Sequence, residues 1–258
     1  MNYKAQTILN PPYTNCKQCP VREMALFKGV PEKRLEWTQQ YRKNQVLVAA
    51  HSRIFEEGEK HDYIYTLFSG WAIIFKTVSN NGKRQILRFL LPGDLIGYQA
   101  DVNGTTSHSA GTITESILCA FPRSQIKEML ESNPELALRL LNMETRDMSL
   151  CQNHLMAAGR KTAKESIAFL LLELYYRVQG QLKDHYNAAD HTIDLPITQE
   201  DMGDALGLTN VHVNRVIQEL INEQLILCHK KQLTILDEAR LCEIAEFSPE
   251  MIGGHPLI

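Results

Sequence analysis

The sequence has no apolar run long enough to span a bilayer. Its most apolar stretch, residues 167–176, is interrupted by Glu173. It falls well short of the ~20 residues a spanning helix needs, so it reads as a buried helix. The opening residues, MNYKAQTILN, lack the apolar core of a secretory leader, and the expected location is the cytoplasm, with no membrane partner. Six cysteines are spread along 258 residues, and only Cys16 and Cys19 lie close together, which excludes a disulfide framework. Missing too is any excess of positive charge. The net charge is −3, and between Arg160 and Leu236 eight Arg and Lys stand against ten Asp and Glu. A nucleic-acid-binding surface would have to be local, made by folding that turns acids to the far side. There is no nucleophile elbow, no HExxH and no phosphate loop, so the chain does not read as an enzyme. Cys16 and Cys19 also lack the βαβ surroundings of a thioredoxin-like redox pair.

What the chain does carry is residues 198–217, TQEDMGDALGLTNVHVNRVI. They read as a helix, a tight turn and a second helix. Thr198 is placed to cap the first helix and Asp201 to complete a capping box. Met202 and Leu206 share one face, Gly207 falls where the chain turns sharply, and Leu208 follows as a buried pivot. Thr209 caps the second helix, which buries Val213, Val216 and Leu220 at helical spacing. This is the pattern of a helix-turn-helix. Thr209, Asn210, Val211, His212, Asn214 and Arg215 are then the residues expected at a DNA major groove. Two β-prone runs, residues 225–228 and 232–236, flank His229, Lys230 and Lys231. They read as a hairpin with a basic tip, a wing whose Lys230 and Lys231 would lie on phosphate. An ordinary amphipathic helix pair and a solvated lysine loop are the competing readings of these two segments.

Upstream the texture differs. Residues up to about 31 are turn-rich, and 32–42 look helical. Short β-prone runs follow at 45–50, 63–68, 71–78, 84–89 and 116–121, broken by glycines. Asn80-Asn81-Gly82 signals a tight hairpin. Many short strands with regular turns suggest a small barrel or jelly roll. Then the pattern turns helical. Ser124 is placed to cap a short helix that ends near Asn133. A long helix follows over about 134–158, ended by Gly159. In it Ala137, Leu141, Glu144, Met148, Cys151, Leu155 and Ala158 recur at alternating spacings of four and three, a coiled-coil seam that Glu144 and Cys151 weaken. Leu136, Leu140, Met143 and Leu150 form a second stripe. One helix with two apolar faces needs two partners, its own barrel and a second subunit; a core helix in a monomer is the competing reading. A further helix over 162–178 buries Ile167, Leu170, Leu171 and Leu174, residues 179–192 are turn-like, and those after about 245 read as a poorly ordered tail. The expected class is α+β: an N-terminal double-stranded β-helix (jelly-roll) sensor barrel, a long dimerisation helix and a C-terminal winged helix-turn-helix. The parts fall at 1–31, 32–123, 124–158, 159–245 and 246–258.

This order of parts resembles the CRP/FNR superfamily of bacterial transcription regulators over about residues 40–240. The residues that carry the resemblance are Leu91-Pro92-Gly93-Asp94-Leu95-Ile96-Gly97, Cys119-Ala120-Phe121-Pro122 and the segment 197–218. It implies a homodimeric, sequence-specific regulator bound to a palindromic operator on double-stranded DNA, and it leaves RNA polymerase open as a further partner. Cyclic-nucleotide members of the superfamily place an Arg-Ser pair after the Gly-Asp/Glu-Leu turn, where the Arg pairs with the cyclic phosphate. Here the stretch from Thr105 to Ala110 has no Arg, so cyclic nucleotide is not expected. His108 would be a poor substitute at neutral pH and reads as a surface or hydrogen-bonded residue. The oxygen-sensing branch holds a [4Fe–4S] centre on an N-terminal cysteine cluster and one barrel cysteine. Cys16, Cys19 and Cys119 stand where three of those ligands would be, and Ala25 and Phe27 occupy the places open to the fourth. The trio is open to three readings: an iron–sulfur cluster with a non-cysteine fourth ligand or a labile hold, another metal, or a redox or relic CxxC with a buried strand cysteine. Cys151 and Cys228 read as core or seam residues, and Cys242 as a helix residue.

At the base-reading positions, oxygen-sensor relatives resemble Glu-x-x-Ser-Arg, where this chain has Val211-His212-Val213-Asn214-Arg215. The resemblance gives Arg215 a guanine, Asn214 an adenine or a phosphate, and Val211 a thymine methyl. Half-sites should then differ from the usual family sequence and lie about one helical turn apart. The function expected is transcription regulation in response to a redox, oxygen or small-molecule signal through the barrel. The alternative is a metal- or ligand-binding regulatory module that acts by protein contacts, its winged helix no longer binding DNA. The acids Glu200, Asp201 and Asp204 on the first helix of the pair are its support.

Overall fold

The structure, a computed structural model, describes residues 6–11, 13–22, 24–28, 30, 39–78, 82–98 and 105–253. The chain divides into two compact units, residues 1–76 with 89–143 and residues 77–88 with 144–258.

Strands β1 (Gln6–Ile8), β2 (Asn44–Val48), β3 (Arg53–Phe55), β4 (Tyr63–Ser69), β5 (Ala72–Thr77), β6 (Arg84–Leu90), β7 (Leu95–Ile96), β8 (Ser109–Thr112) and β9 (Ser116–Pro122) form two sheets. Their orders are β1-β2-β9-β4-β7 and β3-β8-β5-β6. Antiparallel pairing puts Gln45 opposite Cys119, and Cys119 opposite Thr66. The two inner faces meet in a core that includes Val48, Phe55, Leu67, Ile74, Leu90 and Leu118, as a jelly roll requires. The longer runs read as strands lie where expected. Strands β1, β3, β7 and β8 are too short, and β8 (Ser-Ala-Gly-Thr) too small in its side chains, to show an alternating pattern. In the Leu91–Gly97 motif the buried Asp94 carboxylate accepts the Leu91 amide at 2.9 Å and closes the turn. Asn80 and Asn81 of the expected hairpin lie outside the described residues, as does most of 32–42, of which 39–41 are helical.

Helix α1 (Arg123–Ser132) starts two residues earlier than a cap at Ser124 would place it. Pro122 stands at its N-cap, where no side chain bonds the free amides, so Ser124 sits within the first turn and is not the cap. Helix α2 (Pro134–Arg160) runs past Gly159, which lies inside it rather than ending it. In the next helix, α3 (Ala163–Gln181), Thr162 and Glu165 form a complete capping box.

The second unit is built round α3, buried almost throughout from Ser166 to Val178. The 179–192 stretch, read as turns, contains strand β10 (Tyr186–Asn187), and β11 (Thr192–Asp194) begins at its last residue. They join β12 (Ile226–His229) and β13 (Gln232–Ile235) in the order β10-β11-β13-β12. Helices α4 (Gln199–Leu206), α5 (Asn210–Asn222), α6 (Glu238–Ala245) and α7 (Glu250–Gly253) complete it. The expected tail is a correction. Phe247 is buried, its ring 5.5 Å from that of Phe169 and 5.6 Å from that of Tyr176, so an aromatic cluster ties down the chain beyond residue 245. Among the described residues no helix is long and apolar enough to cross a membrane.

Candidate nucleic-acid interface and cysteine cavity

Thr198 caps α4 by accepting the Asp201 amide at 3.1 Å, and Asp201 accepts the Thr198 amide at 2.9 Å and its hydroxyl at 2.7 Å. Gly207 ends α4 in the left-handed region at φ 69°, where a side chain would be strained. Thr209 caps α5 by accepting the His212 amide at 3.3 Å. Val213, Val216 and Leu220 are buried as expected, with Ile217 beside them, while Leu208 is only half-buried.

The two helices approach closely at a residue that sequence reading passed over. A Cβ on Gly203 would stand 2.6 Å from the carbonyl oxygen of Leu208, so only glycine fits. Its signal was a glycine inside an otherwise helical pattern, which marks a close backbone approach as readily as a weak helix.

On the outer face of α5, Asn210, Val211, Asn214 and Arg215 are exposed, Val211 to 82%, with Thr209 exposed beside them and His212 half-buried. Asn214 Nδ2 donates to Gln199 Oε1 at 3.0 Å, which adds Gln199 to this surface. At the wing tip Lys230 and Lys231 take φ values of 47° and 64°, the conformation a two-residue hairpin demands. Asn or Gly adopts it readily, whereas two lysines hold it at a cost.

Two of the three acids of α4, Asp201 and Asp204, are paired with an arginine. Arg84 Nη2 donates to Asp201 Oδ1 and its Nε to Asp204 Oδ2, both at 2.7 Å. Burial lowers the Arg84 pKa, but its two carboxylate partners outweigh that and raise it. One arginine thus answers two of the three acids that spoke against DNA binding.

Three polar residues, half-buried His154 and buried Glu173 and Arg177, also meet in the second unit. Glu173 accepts from Arg177 at 3.2 Å and hydrogen-bonds His154 of α2. Burial pushes the Glu173 carboxyl up, but His154 and Arg177 prevail and hold it at about 2; burial lowers His154, and Glu173 more than reverses this. An acid in the middle of an apolar run was the signal, because a buried carboxylate must be paired.

On α2 the two stripes separate as the spacing predicts. Leu136, Met143 and Leu150 are buried, whereas Ala137, Leu141, Met148, Cys151, Leu155 and Ala158 are exposed, with Glu144 half-buried among them.

In the first unit Cys16, Cys19 and Cys119 line one cavity of about 30 Å³, together with Ala25, Phe27, Arg42 and Thr66. Cys119 Sγ accepts from Gln45 Nε2 at 3.4 Å; Gln45 Oε1 takes the Thr14 amide at 3.1 Å, and Arg42 Nη1 reaches the Thr14 carbonyl at 2.6 Å. Gln45 and Arg42 thereby fasten the N-terminal stretch beside Cys119, a role the sequence does not display. Burial pushes the Cys19 and Cys119 thiols up. A four-cysteine [4Fe–4S] centre does not fit this donor set: the cavity is lined by three thiols, with Ala25 and Phe27 beside them, and among the described residues no three such side chains converge as a metal site requires.

The stretch from Thr105 to Ala110 is engaged internally. Thr106 Oγ1 donates to the Glu56 carbonyl at 2.9 Å, and Ser109 Oγ accepts the Glu57 amide at 3.0 Å. His108 is buried and lies 3.4 Å from Ser107 Oγ, so it is a hydrogen-bonded residue and not a surface one. Its ring and those of Phe55, His61, Tyr63 and Tyr65 form an aromatic cluster.

Residues 45–133 match the cyclic nucleotide-binding domain, and residues 165–244 the Crp-like helix-turn-helix domain. The chain is similar to the transcriptional activator protein FnrL of Cereibacter sphaeroides, 30% identical over 256 residues that cover 99% of each. It is 32% identical to the transcriptional activatory protein AadR of Rhodopseudomonas palustris over 195 residues, 74% of this chain and 77% of that one. The structure of FixK2 from Bradyrhizobium japonicum superposes with a TM-score of 0.69 at 26% identity, covering 79% of this chain and 98% of that one. These parts define a DNA-binding transcription regulator and not an enzyme. The chain belongs to the CRP/FNR family.

Proposed function

We propose that the chain acts as a homodimer whose two copies of α5 read a palindromic operator, and that a redox, oxygen or small-molecule signal enters through the cavity of Cys16, Cys19 and Cys119. The observation that carries the dimer is the exposed seam on α2: Leu141 is 51% exposed, Met148 60% and Leu155 75%, all on one face. A contiguous apolar face of this kind marks an association site, and its four–three spacing suits a second copy of the same helix. A two-fold partner presents two reading heads, so the operator is an inverted repeat. Arg215 takes a guanine, Asn214 an adenine or a phosphate, and Val211 a thymine methyl. The strained lysines of the wing tip lie on the backbone, where charge counts and sequence does not.

For the signal, half of the chain's six cysteines line one cavity. Oxidation or soft-ligand binding there would alter how the N-terminal stretch packs, and so bias the two-state packing of α2. Cyclic nucleotide is not the signal, because no Arg stands in the stretch from Thr105 to Ala110 to meet its phosphate.

Sedimentation with a footprint on DNA selected from a randomised duplex library tests the dimer. The parent should sediment as a dimer and protect inverted half-sites, and Leu155→Glu should give monomers; a monomeric parent overturns the reading. Anaerobic purification with an absorption spectrum and iron and sulfide analysis tests the signal. Iron-free protein whose DNA affinity responds to peroxide supports thiol sensing, and affinity indifferent both to peroxide and to Cys119→Ser removes the cavity from the account.

A further inference from the structure

We propose that Arg84, over a hundred residues from the helix-turn-helix, is a positioning residue that sets the aim of α5. The proposal rests on the dimeric DNA-binding reading above. Within the second unit, Arg84 and Gln85 of β6 grip α4 at three points. Arg84 bridges Asp201 and Asp204 at 2.7 Å each, and Gln85 Nε2 donates to the Ala205 carbonyl at 2.9 Å. That carbonyl lies in the last turn of α4, where backbone acceptors lack helical partners. The pairing is not a loose surface contact. The Arg84, Asp201 and Asp204 side chains are exposed to 22%, 10% and 26%, and Asp201 gives its other oxygen to the Thr198 cap. An arginine fork held by two partly buried carboxylates has one geometry.

The grip is transmitted in both directions. Beyond α4, the approach at Gly203 and the Asn214–Gln199 bond couple α4 rigidly to α5. In the other direction, Arg88 pairs with Asp147 on α2, both residues buried. Arg84 and Arg88 lie on one strand at positions four apart, which places them on the same face roughly 13 Å from each other. The segment therefore works as a strut from the helix that carries the seam to the helix pair that reads DNA. Arg84 bonds Asp201 and Asp204 of α4, so it acts on α5 through α4.

Aim matters only when two heads must engage together, and that separates positioning from general damage. The parent, Arg84→Ala and Arg84→Lys are compared on an inverted-repeat duplex selected by the parent and on a duplex that carries one half-site, with thermal unfolding recorded for each. Arg84→Ala should bind the inverted repeat about tenfold more weakly and the half-site within about twofold of the parent. Arg84→Lys should recover part of the loss, since one ammonium cannot bridge both carboxylates. Equal losses on the two duplexes, or none, overturn the role of Arg84 while the parent still prefers the inverted repeat. A parent with no such preference overturns the two-fold reading, and this proposal with it.

Discussion

His154 on α2 and Glu173 on α3 hydrogen-bond inside the second unit, and Arg177 takes the other oxygen of the same carboxylate. Glu173 and Arg177 are buried within the otherwise apolar stretch 167–178 of α3, so the bridge joins the seam helix to the DNA-binding part through charge. Removing one member of such a group costs the others a charged partner. Glu173→Ala should lower stability by about 3–5 kcal/mol in urea unfolding, because it leaves Arg177 buried without its carboxylate. A loss below about 1 kcal/mol would mean that the bridge is open to water.

The same bridge sets a pH dependence. The folded pKa of His154 is raised by Glu173, so its contribution is full below the unfolded value of about 6.5 and is lost as pH rises through the folded value. Glu173 is held at about 2, so its contribution is present above the unfolded carboxylate range and fails only as pH falls towards that value. Urea midpoints of the parent should therefore fall more between about pH 6 and 9 than those of His154→Gln, in which position 154 carries no titrating ring. Half-buried Cys19 and buried Cys119 are the same in both proteins and cancel in the difference. Parallel midpoint curves would remove His154 from the pH response.

Gly203→Ala should disrupt the helix-turn-helix while leaving α4 capped. The new methyl meets the Leu208 carbonyl oxygen at 2.6 Å, and backbone on both sides must move. A cost of about 1–3 kcal/mol is expected, with specific DNA binding falling further than stability because the angle between α4 and α5 changes. Binding as tight as the parent's would show that the turn can relax.

Arg215→Ala and the double variant Lys230→Ala, Lys231→Ala should fail in different ways. The first should cost about 1–3 kcal/mol and relax preference at one base pair of each half-site. The second should weaken all duplexes alike and flatten the dependence of affinity on salt, since phosphate contacts release counterions. Measuring both variants on the selected duplex and on single-base changes of it separates the roles. A uniform loss for Arg215→Ala would turn that residue into a phosphate contact.

Much of this architecture was legible because its rules are local. The capping box of Thr198 and Asp201, the turn at Gly207, the cap at Thr209 and the buried Val213, Val216 and Leu220 involve neighbours at most a few residues apart. The seam was legible for the same reason: helical spacing alone places Leu141, Met148 and Leu155 on one face. The start of α1 was misjudged because Ser124 has the chemistry of a cap but Pro122 precedes the helix, and the tail because Phe247 shows no periodicity of its own.

By itself the sequence determined the helix-turn-helix, its wing, the strand-rich half before it and the long two-striped helix, because patterning and capping act within a turn or a strand. Only the tertiary structure decided where lone polar residues go. It gave Asp201 and Asp204 to Arg84, enclosed Glu173 between His154 and Arg177, and gathered Cys16, Cys19 and Cys119 round one cavity. A charge or a thiol carries no period, and its partner is chosen by whichever distant segment folding brings within about 3 Å.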